Sequence, residues 1–404
     1  MLGNHPFYPF CVAFPQFVFS YLSSMKLIVP IFSAAVFLFA SCNNHSNKDQ
    51  KNETAEQNAS AISEKLPDNF YKKLKGKIGD DIYITVDLIK RTDSAGRETS
   101  LSGYYYYDKI GMPLDLYGDI NDSGVFKLNE MDAKGETTGN FEGKFINANQ
   151  AKGTWTNPKT KKQYNFELNA VETDVKFIFS EYYNENCKMR EANLLSNKKD
   201  TLNWLDTMCS SVHVSLVTLA NADKAGKKMN DLLLNGLLSL SGGEKAEGSI
   251  MQLIHSIDNY GPGDIMEGEF STGIVSYEKN ILSMSVYTWQ NTGGAHPNGY
   301  GFFLNFDTRT GDTLGLLDIL KPETADELVY RGKEQFIKEN GNIKENGWFW
   351  DDGNFFLPKT FAITKGGLLF TYQSYEAGPY AMGAPQFFLS WSQIKDIVKP
   401  EYIK

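Results

Sequence analysis

The segment Leu114-Asp-Leu-Tyr-Gly-Asp-Ile120, Asn121-Asp-Ser-Gly124, Val125-Phe-Lys-Leu-Asn-Glu-Met131 alternates apolar and polar residues on both sides of a Gly-containing turn. Successive side chains of a strand point to opposite faces, so the pattern predicts two half-buried strands joined as a hairpin. The same grammar extends in both directions from Gly76 to Val171. Strands are expected at Ile82–Leu88, Tyr104–Tyr107, Leu114–Ile120, Val125–Met131, Gly139–Phe145, Ala151–Trp155 and Tyr164–Leu168. Turns fall at Ser94-Ala-Gly96, Lys109-Ile-Gly111, Ala133-Lys-Gly135 and Asn157-Pro-Lys159. Short strands with turns about every ten residues predict an antiparallel β-meander over 69–172, curved into a half or full barrel.

Beyond Thr173 the pattern mixes periods. Strands are predicted at Val175–Tyr183, around Val212-His213-Val214, and at Ile265–Tyr277, Ile281–Gln290, Tyr300–Asp307, Lys359–Thr364, Leu368–Tyr375 and Gln386–Ser390. Helical spacing appears over Ala222–Leu240, with Asn221 or Asp223 as cap, over Glu244–Ile257, over Glu323–Glu339 and over Trp391–Lys399. Strands in runs with separate helices give an α+β domain over 173–404.

The other end of the chain reads as an address. Lys26 precedes the apolar run Leu27–Phe39, too short to span a membrane and followed by Ala40-Ser41-Cys42. Residues 25–41 are therefore expected to be a signal peptide, and residues 1–24, which hold no Lys or Arg, a mis-called upstream start. Leu38-Phe-Ala-Ser-Cys42 resembles the lipobox of bacterial lipoproteins. That resemblance implies cleavage before Cys42 and lipidation of its thiol by acyl chains of the palmitate type. It places the protein in the bacterial cell envelope, lipid-anchored, periplasmic or surface-facing. Residues 42–68 are rich in Asn, Ser, Lys and Glu and read as a flexible tether.

With 40 basic and 49 acidic residues the net charge is −9, and loss of Lys26 with the leader makes it −10. This balance argues against a nucleic-acid partner. No apolar run of 18 or more residues follows position 42, which excludes a polytopic membrane protein. With Cys42 lipidated, Cys187 and Cys209 remain in an oxidising compartment, and a disulfide between them is predicted.

Three segments of the second part carry a further resemblance. They are Tyr287-Thr-Trp-Gln-Asn-Thr-Gly-Gly-Ala-His-Pro-Asn298; Asn305-Phe-Asp-Thr-Arg-Thr-Gly311 with Leu317-Asp-Ile-Leu320; and Tyr372-Gln-Ser-Tyr-Glu-Ala-Gly-Pro-Tyr-Ala-Met-Gly383 with Trp391-Ser-Gln-Ile394. In order and spacing they resemble the extracytoplasmic domain shared by the lysozyme-sensing anti-sigma factor RsiV and the peptidoglycan deacetylase PdaC, a domain of unknown function. The resemblance covers roughly 173–404. It implies a binding module of the envelope rather than deacetylation or signalling, whose dedicated parts are not found in these residues. The acidic chain favours a cationic protein partner such as a lysozyme-like muramidase, or peptidoglycan itself.

Thr292, Gly293, Gly294, His296 and Asn298, with Glu376 and Tyr380, form the candidate ligand-binding set. Two glycines admit close backbone approach and His296 brings a titratable ring. The alternatives are a peptidoglycan-acting enzyme in which His296 and Glu376 pair as acid and base, and a passive structural module. No cofactor is expected. No metal site is expected either: Asp119–Glu130 nearly spells a calcium loop, but Lys127 stands where a ligand belongs and the flanks are strands, so a hairpin turn is the preferred reading. Trp348-Phe-Trp350 and Phe355-Phe-Leu357 are read as core packing rather than a sugar-stacking patch.

Overall fold

The computed structural model describes residues 66–92, 99–188, 209–220, 223–240, 250–259, 266–350 and 354–403. The leader, Cys42 and the tether as far as residue 65 lie outside these residues, as do the turn at Ser94-Ala-Gly96 and Asn221; the expected tether, 42–68, runs too far, because the apolar Leu66 is buried in the barrel core. The fold is α+β: a closed antiparallel barrel followed by mixed sheets and a few helices.

The barrel strands are β1 (Phe70–Ile78), β2 (Ile82–Thr92), β3 (Thr99–Tyr107), β4 (Leu114–Ile120), β5 (Val125–Met131), β6 (Thr137–Asn147), β7 (Gln150–Thr156) and β8 (Gln163–Val171). Each pairs with its successor, and β1 pairs with β8 to close the ring. Residues 114–131 fold as the alternation predicts, with Leu114, Leu116, Phe126 and Leu128 buried inside. The barrel is filled rather than hollow, by Phe70, Tyr105, Phe126, Phe141, Phe145, Trp155 and Phe166. Inside it the buried Glu130 accepts hydrogen bonds from Trp155 Nε1 (2.9 Å) and Thr138 Oγ1 (2.6 Å). β1 is the strand that the pattern hides. Lys72, Lys73, Lys75 and Lys77 give it a polar look, yet Leu74 and Ile78 are buried and complete the core.

The second part is built on a six-stranded sheet of order β14-β13-β12-β11-β10-β9. Its strands are β9 (Phe177–Asn186), β10 (Ser210–Leu219), β11 (Glu267–Glu278), β12 (Ile281–Asn291), β13 (Asn298–Asp307) and β14 (Asp312–Thr313). Cys187 and Cys209, at the ends of β9 and β10, are joined in a disulfide. β10 and β11 run parallel, so the chain crosses over between them. The crossover contains α1 (Lys224–Leu240) and α2 (Ile250–Ile254), which runs on into a 3-10 turn over His255–Ile257; of the helix expected over Glu244–Ile257, residues 244–249 lie outside the described residues. Asp223 caps α1 by accepting from Gly226 N at 2.7 Å. Met229, Leu233 and Leu237, at helical spacing, pack on Val212, Val214, Phe270 and Val286.

A third layer holds α3 (Leu316–Ile319), α4 (Ala325–Asn340), the sheet β15 (Phe361–Ile363), β16 (Gly367–Thr371) and β17 (Gln386–Ser390), and α5 (Trp391–Ile394). The closing helix is one turn, not the nine residues that helical spacing suggests, because the chain leaves it to pair Val398 with Leu320, with Lys399 N donating to Ile319 O. Phe336 on α4 is fully buried against Trp348, Trp350, Phe355, Tyr372 and Phe387. Trp348 and Trp350 thus serve packing as expected, whereas Phe349 and Phe356 are exposed.

Barrel and second part meet through a polar seam. A bulge in β11 between Ile274 and Ser276 takes Val275 out of the ladder, and its carbonyl accepts from Tyr106 OH at 2.9 Å. Arg91 donates to Thr272 O (2.9 Å), and Lys365 pairs with Asp108 (2.6 Å) and donates to Thr85 Oγ1 (2.7 Å). Gly111 of the barrel lies so close to Gly366 that a Cβ there would stand 2.4 Å from the Gly366 Cα.

Candidate functional site

Two connections from different sheets converge. One is 292–297, between β12 and β13; the other is 372–385, between β16 and β17. Asn291 Oδ1 accepts from Gly293 N (3.2 Å), and Gly293 turns the first connection with φ +74°. A Cβ at Gly293 or Gly294 would meet nothing within 4 Å, so these glycines face open space rather than packing. In the second connection Gln373 Nε2 donates to Gly301 O (2.7 Å), fastening the segment to the edge of β13. The strand predicted over Leu368–Tyr375 ends at Thr371, and Tyr375 takes φ +64°. A bulky residue in the left-handed region is a strained position.

The result is an aromatic shelf. The His296 ring stacks on Tyr380 with centroids 4.1 Å apart and planes 17° from parallel. Both side chains are tied to one carbonyl: His296 Nδ1 lies 2.9 Å from Pro297 O, and Tyr380 OH donates to it at 3.3 Å. Tyr375, 43% exposed, continues the shelf 5.7 Å from Tyr380. Thr292, Gly294 and Asn298 lie exposed on the rim.

Burial dominates the electrostatics around the shelf. Burial raises the Tyr287 phenol, and Glu269 and Tyr380 add to the effect, pushing it up to about 12. Burial also raises the Glu376 carboxyl, against the opposing pull of the Gln373 N–H and Lys359. The Tyr300 phenol is raised by burial and by the charge of Glu376.

His296 and Glu376 each make their contacts with other groups. The imidazole stacks on Tyr380, while Glu376 Oε2 accepts from Gln373 N at 2.8 Å within its own loop. Among the described residues no hydrogen bond or ion pair links the two side chains. Gln373 Oε1, Ser374 Oγ, Thr371 Oγ1 and Trp348 Nε1 are buried without a hydrogen-bond partner, all in or against this second connection. Such a cluster is unusual in a folded interior. Tyr375, Tyr287 and Gln373 were not in the candidate set from sequence. Tyr287 and Tyr375 stand within the segments that carry the resemblance, but only the fold sets them beside Tyr380.

The near-calcium loop is a hairpin turn. Asn121 Oδ1 accepts from Ser123 N (3.1 Å) and Val125 N (3.0 Å), and Gly124 takes φ +77°. Among the described residues, the grouping with metal-ligand chemistry is Glu185, Cys187 and Cys209, and its two thiols form the disulfide. His255 sits on the surface beside Asp258.

No curated protein matches the chain. The solved structures similar to it include a DUF3298 family protein from Pseudomonas aeruginosa PAO1 and a member of the DUF3298 family from Bacteroides fragilis NCTC 9343. Each is 16% identical with a TM-score of 0.44 and covers 56% of this chain; the match takes in 96% of the first and 94% of the second. Residues 316–392, from α3 into α5, match the family described as "Protein of unknown function (DUF3298)", a span that contains the Glu376–Tyr380 half of the shelf and leaves the His296 half outside.

Proposed function

We propose that the chain is a lipid-anchored envelope protein whose second part binds a ligand, without transforming it, at the shelf made by the 292–298 and 372–380 loops. The observation that carries this reading is the stacked His296–Tyr380 pair, continued by an exposed Tyr375 in a strained backbone conformation. Strain held at a surface loop is characteristic of ligand-binding positions. Aromatic faces flanked by carboxylates suit cationic side chains as well as sugar rings. The resemblance to the RsiV and PdaC domain and the net charge of −10 favour a cationic protein of the lysozyme type, with cell-wall glycan as the other ligand class. Calorimetric titration of the full chain with lysozyme, and in parallel with muropeptides, tests the reading. Heat with lysozyme that weakens from low to moderate salt is expected; no heat with either ligand would sink it.

The anchor has its own test. A wild-type chain in the membrane fraction carrying diacylglycerol on Cys42 is expected, with Cys42→Ser released from that fraction. Membrane association unchanged by the serine would refute the anchor.

A further inference from the structure

The six-stranded sheet turns one face to α1 and the other toward the shelf. Phe270 on β11 and Val286 on β12 are buried in the core with Met229, Leu233 and Leu237 of α1. Successive residues of a strand point to opposite faces, so Glu269, Ser271, Tyr287 and Trp289 share the other face. Glu269 stands directly across the ladder from Trp289, and Ser271 from Tyr287. In the same two rows β13 places Gly299 opposite Trp289 and Gly301 opposite Tyr287, so no β13 side chain there separates the rings from the Tyr380 loop. The Tyr287 ring leans toward that strand: a Cβ at Gly301 would stand 3.3 Å from Tyr287 Cδ2. Gln373 Nε2 ends the second row at Gly301 O, and its Oε1 is buried without a hydrogen-bond partner.

Glu269 is partly buried, and among the described residues no hydrogen bond or ion pair engages its carboxylate. Its neighbour Glu267 accepts from Asn291 Nδ2 at 3.1 Å. Arg91, which the barrel brings to β11, donates to Thr272 O and feels the charge of Glu181 instead. Burial raises the Glu269 carboxyl and the charge of Glu267 adds to the effect, with no cation opposing them. Carboxylates held partly out of water are normally paired, so the complement of this one is a positive group. The Trp289 side chain begins about 5 Å away across the ladder, which gives that group an aromatic face to rest on.

We propose that Glu269, Trp289 and Tyr287 form the charged end of the shelf and receive an arginine side chain of a partner polypeptide. The proposal rests on the reading of the shelf as a protein-binding site and names the group recognised there. Arginine fits better than lysine: its guanidinium is planar, stacks on an aromatic face and presents parallel N–H donors to a carboxylate. From Gly299 to Glu269 is two strand spacings, about 10 Å, with Trp289 between them. An arginine entering from the Tyr380 side crosses the Trp289 ring and meets the carboxylate at its tip. Gln373 Oε1, on the entry side, offers an acceptor to a backbone N–H of the same segment.

The probe is a fluorescein-labelled Gly-Gly-Arg-Gly-Gly peptide, compared by anisotropy on the full chain with peptides that carry lysine or citrulline at the centre. Citrulline keeps the shape of arginine and lacks its charge. A dissociation constant below about 1 mM is expected for the arginine peptide, with lysine at least roughly threefold and citrulline at least roughly tenfold weaker. Glu269→Gln is expected to weaken the arginine peptide at least roughly tenfold and to erase its advantage over citrulline. Glu142→Gln, on the barrel surface, is expected to leave binding unchanged. The urea midpoint of Glu269→Gln is expected at or above the wild-type value; a lower one would make the role of Glu269 structural and overturn the proposal. No binding of the arginine peptide at about 10 mM, equal affinity for citrulline, or unchanged binding by Glu269→Gln would each overturn it as well. Those results would leave the lysozyme and muropeptide titrations to decide the reading of the shelf. Arginine-selective binding without heat from either of those ligands would uphold the subsite and remove lysozyme as its partner.

Discussion

Lys73→Ala is expected to cost about 3–5 kcal/mol of stability, far more than loss of a surface lysine. Lys73 is 5% exposed on β1; its Nζ pairs with Glu278 Oε1 at 2.6 Å, lies 3.6 Å from Asp87 Oδ1 and donates to Tyr277 O. Asp87 is fully buried on β2. Burial pushes its carboxyl up, and Lys73 is the largest influence holding it down, followed by the hydrogen bond from Tyr71 OH at 2.6 Å. Removing the ammonium leaves Asp87 with phenolic support alone, and Oδ2 already lacks a partner. Breaking one member of a buried pair strands the other, whereas neutralising both does not. The triple variant Lys73→Met, Asp87→Asn and Glu278→Gln, which neutralises both of the carboxylates that Lys73 faces, should therefore recover most of the loss. Urea unfolding of the three proteins checks this; a Lys73→Ala loss below about 1 kcal/mol would show that the seam is not held this way. Because Lys73 belongs to the barrel and Glu278 to β11, the same variant should loosen the attachment of the barrel to the sheet.

Asp115→Asn is expected to stabilise the chain at alkaline pH and to leave it nearly unchanged in acid. Asp115 is partly buried on β4 opposite Tyr104 and Met131, and burial alone raises its carboxyl to about 7. Tyr104 packs in turn against the seam cluster of Val275, Ala362, Leu369 and Phe388. Between the ordinary carboxylate range and pH 7, the folded chain holds a proton that the unfolded chain has released. Stability therefore falls as pH rises through that window, and the full penalty is present above it. A dry carboxyl would lose about 4 kcal/mol; Asp115 retains some solvent contact, so about 2 kcal/mol is expected at pH 8. Urea midpoints of wild type and Asp115→Asn should coincide near pH 4 and separate above pH 7. Parallel curves across that range would contradict the assignment.

Where structure follows from local pattern, it is legible in the sequence. β4 and β5 begin and end where alternation says they should, since a hairpin fixes both register and burial within eighteen residues. β1 is not legible, because its four lysines carry aliphatic stems and one of them, Lys73, is buried by a partner two hundred residues away. The shelf divides in the same manner. His296, Glu376 and Tyr380 can be singled out as chemistry-bearing residues in Gly-rich connections. That His296 meets Tyr380 and not Glu376 depends on how β13 and the 372–385 segment are laid side by side, through Gln373 and Gly301. The left-handed turn at Tyr375 is likewise invisible, because nothing about tyrosine favours that conformation. The disulfide is the exception among long-range features, since a reading in which Cys42 carries lipid singles out Cys187 and Cys209 as the remaining pair.

The site assignment is tested most directly by comparing two tyrosines in one titration with lysozyme. Tyr380 sits on the shelf against His296, while Tyr83, 63% exposed, sits on the barrel. With both variants folded by circular dichroism, Tyr380→Ala should bind at least roughly tenfold more weakly than wild type and Tyr83→Ala should bind equally well. Equal binding by wild type and Tyr380→Ala would place the ligand elsewhere and contradict the account.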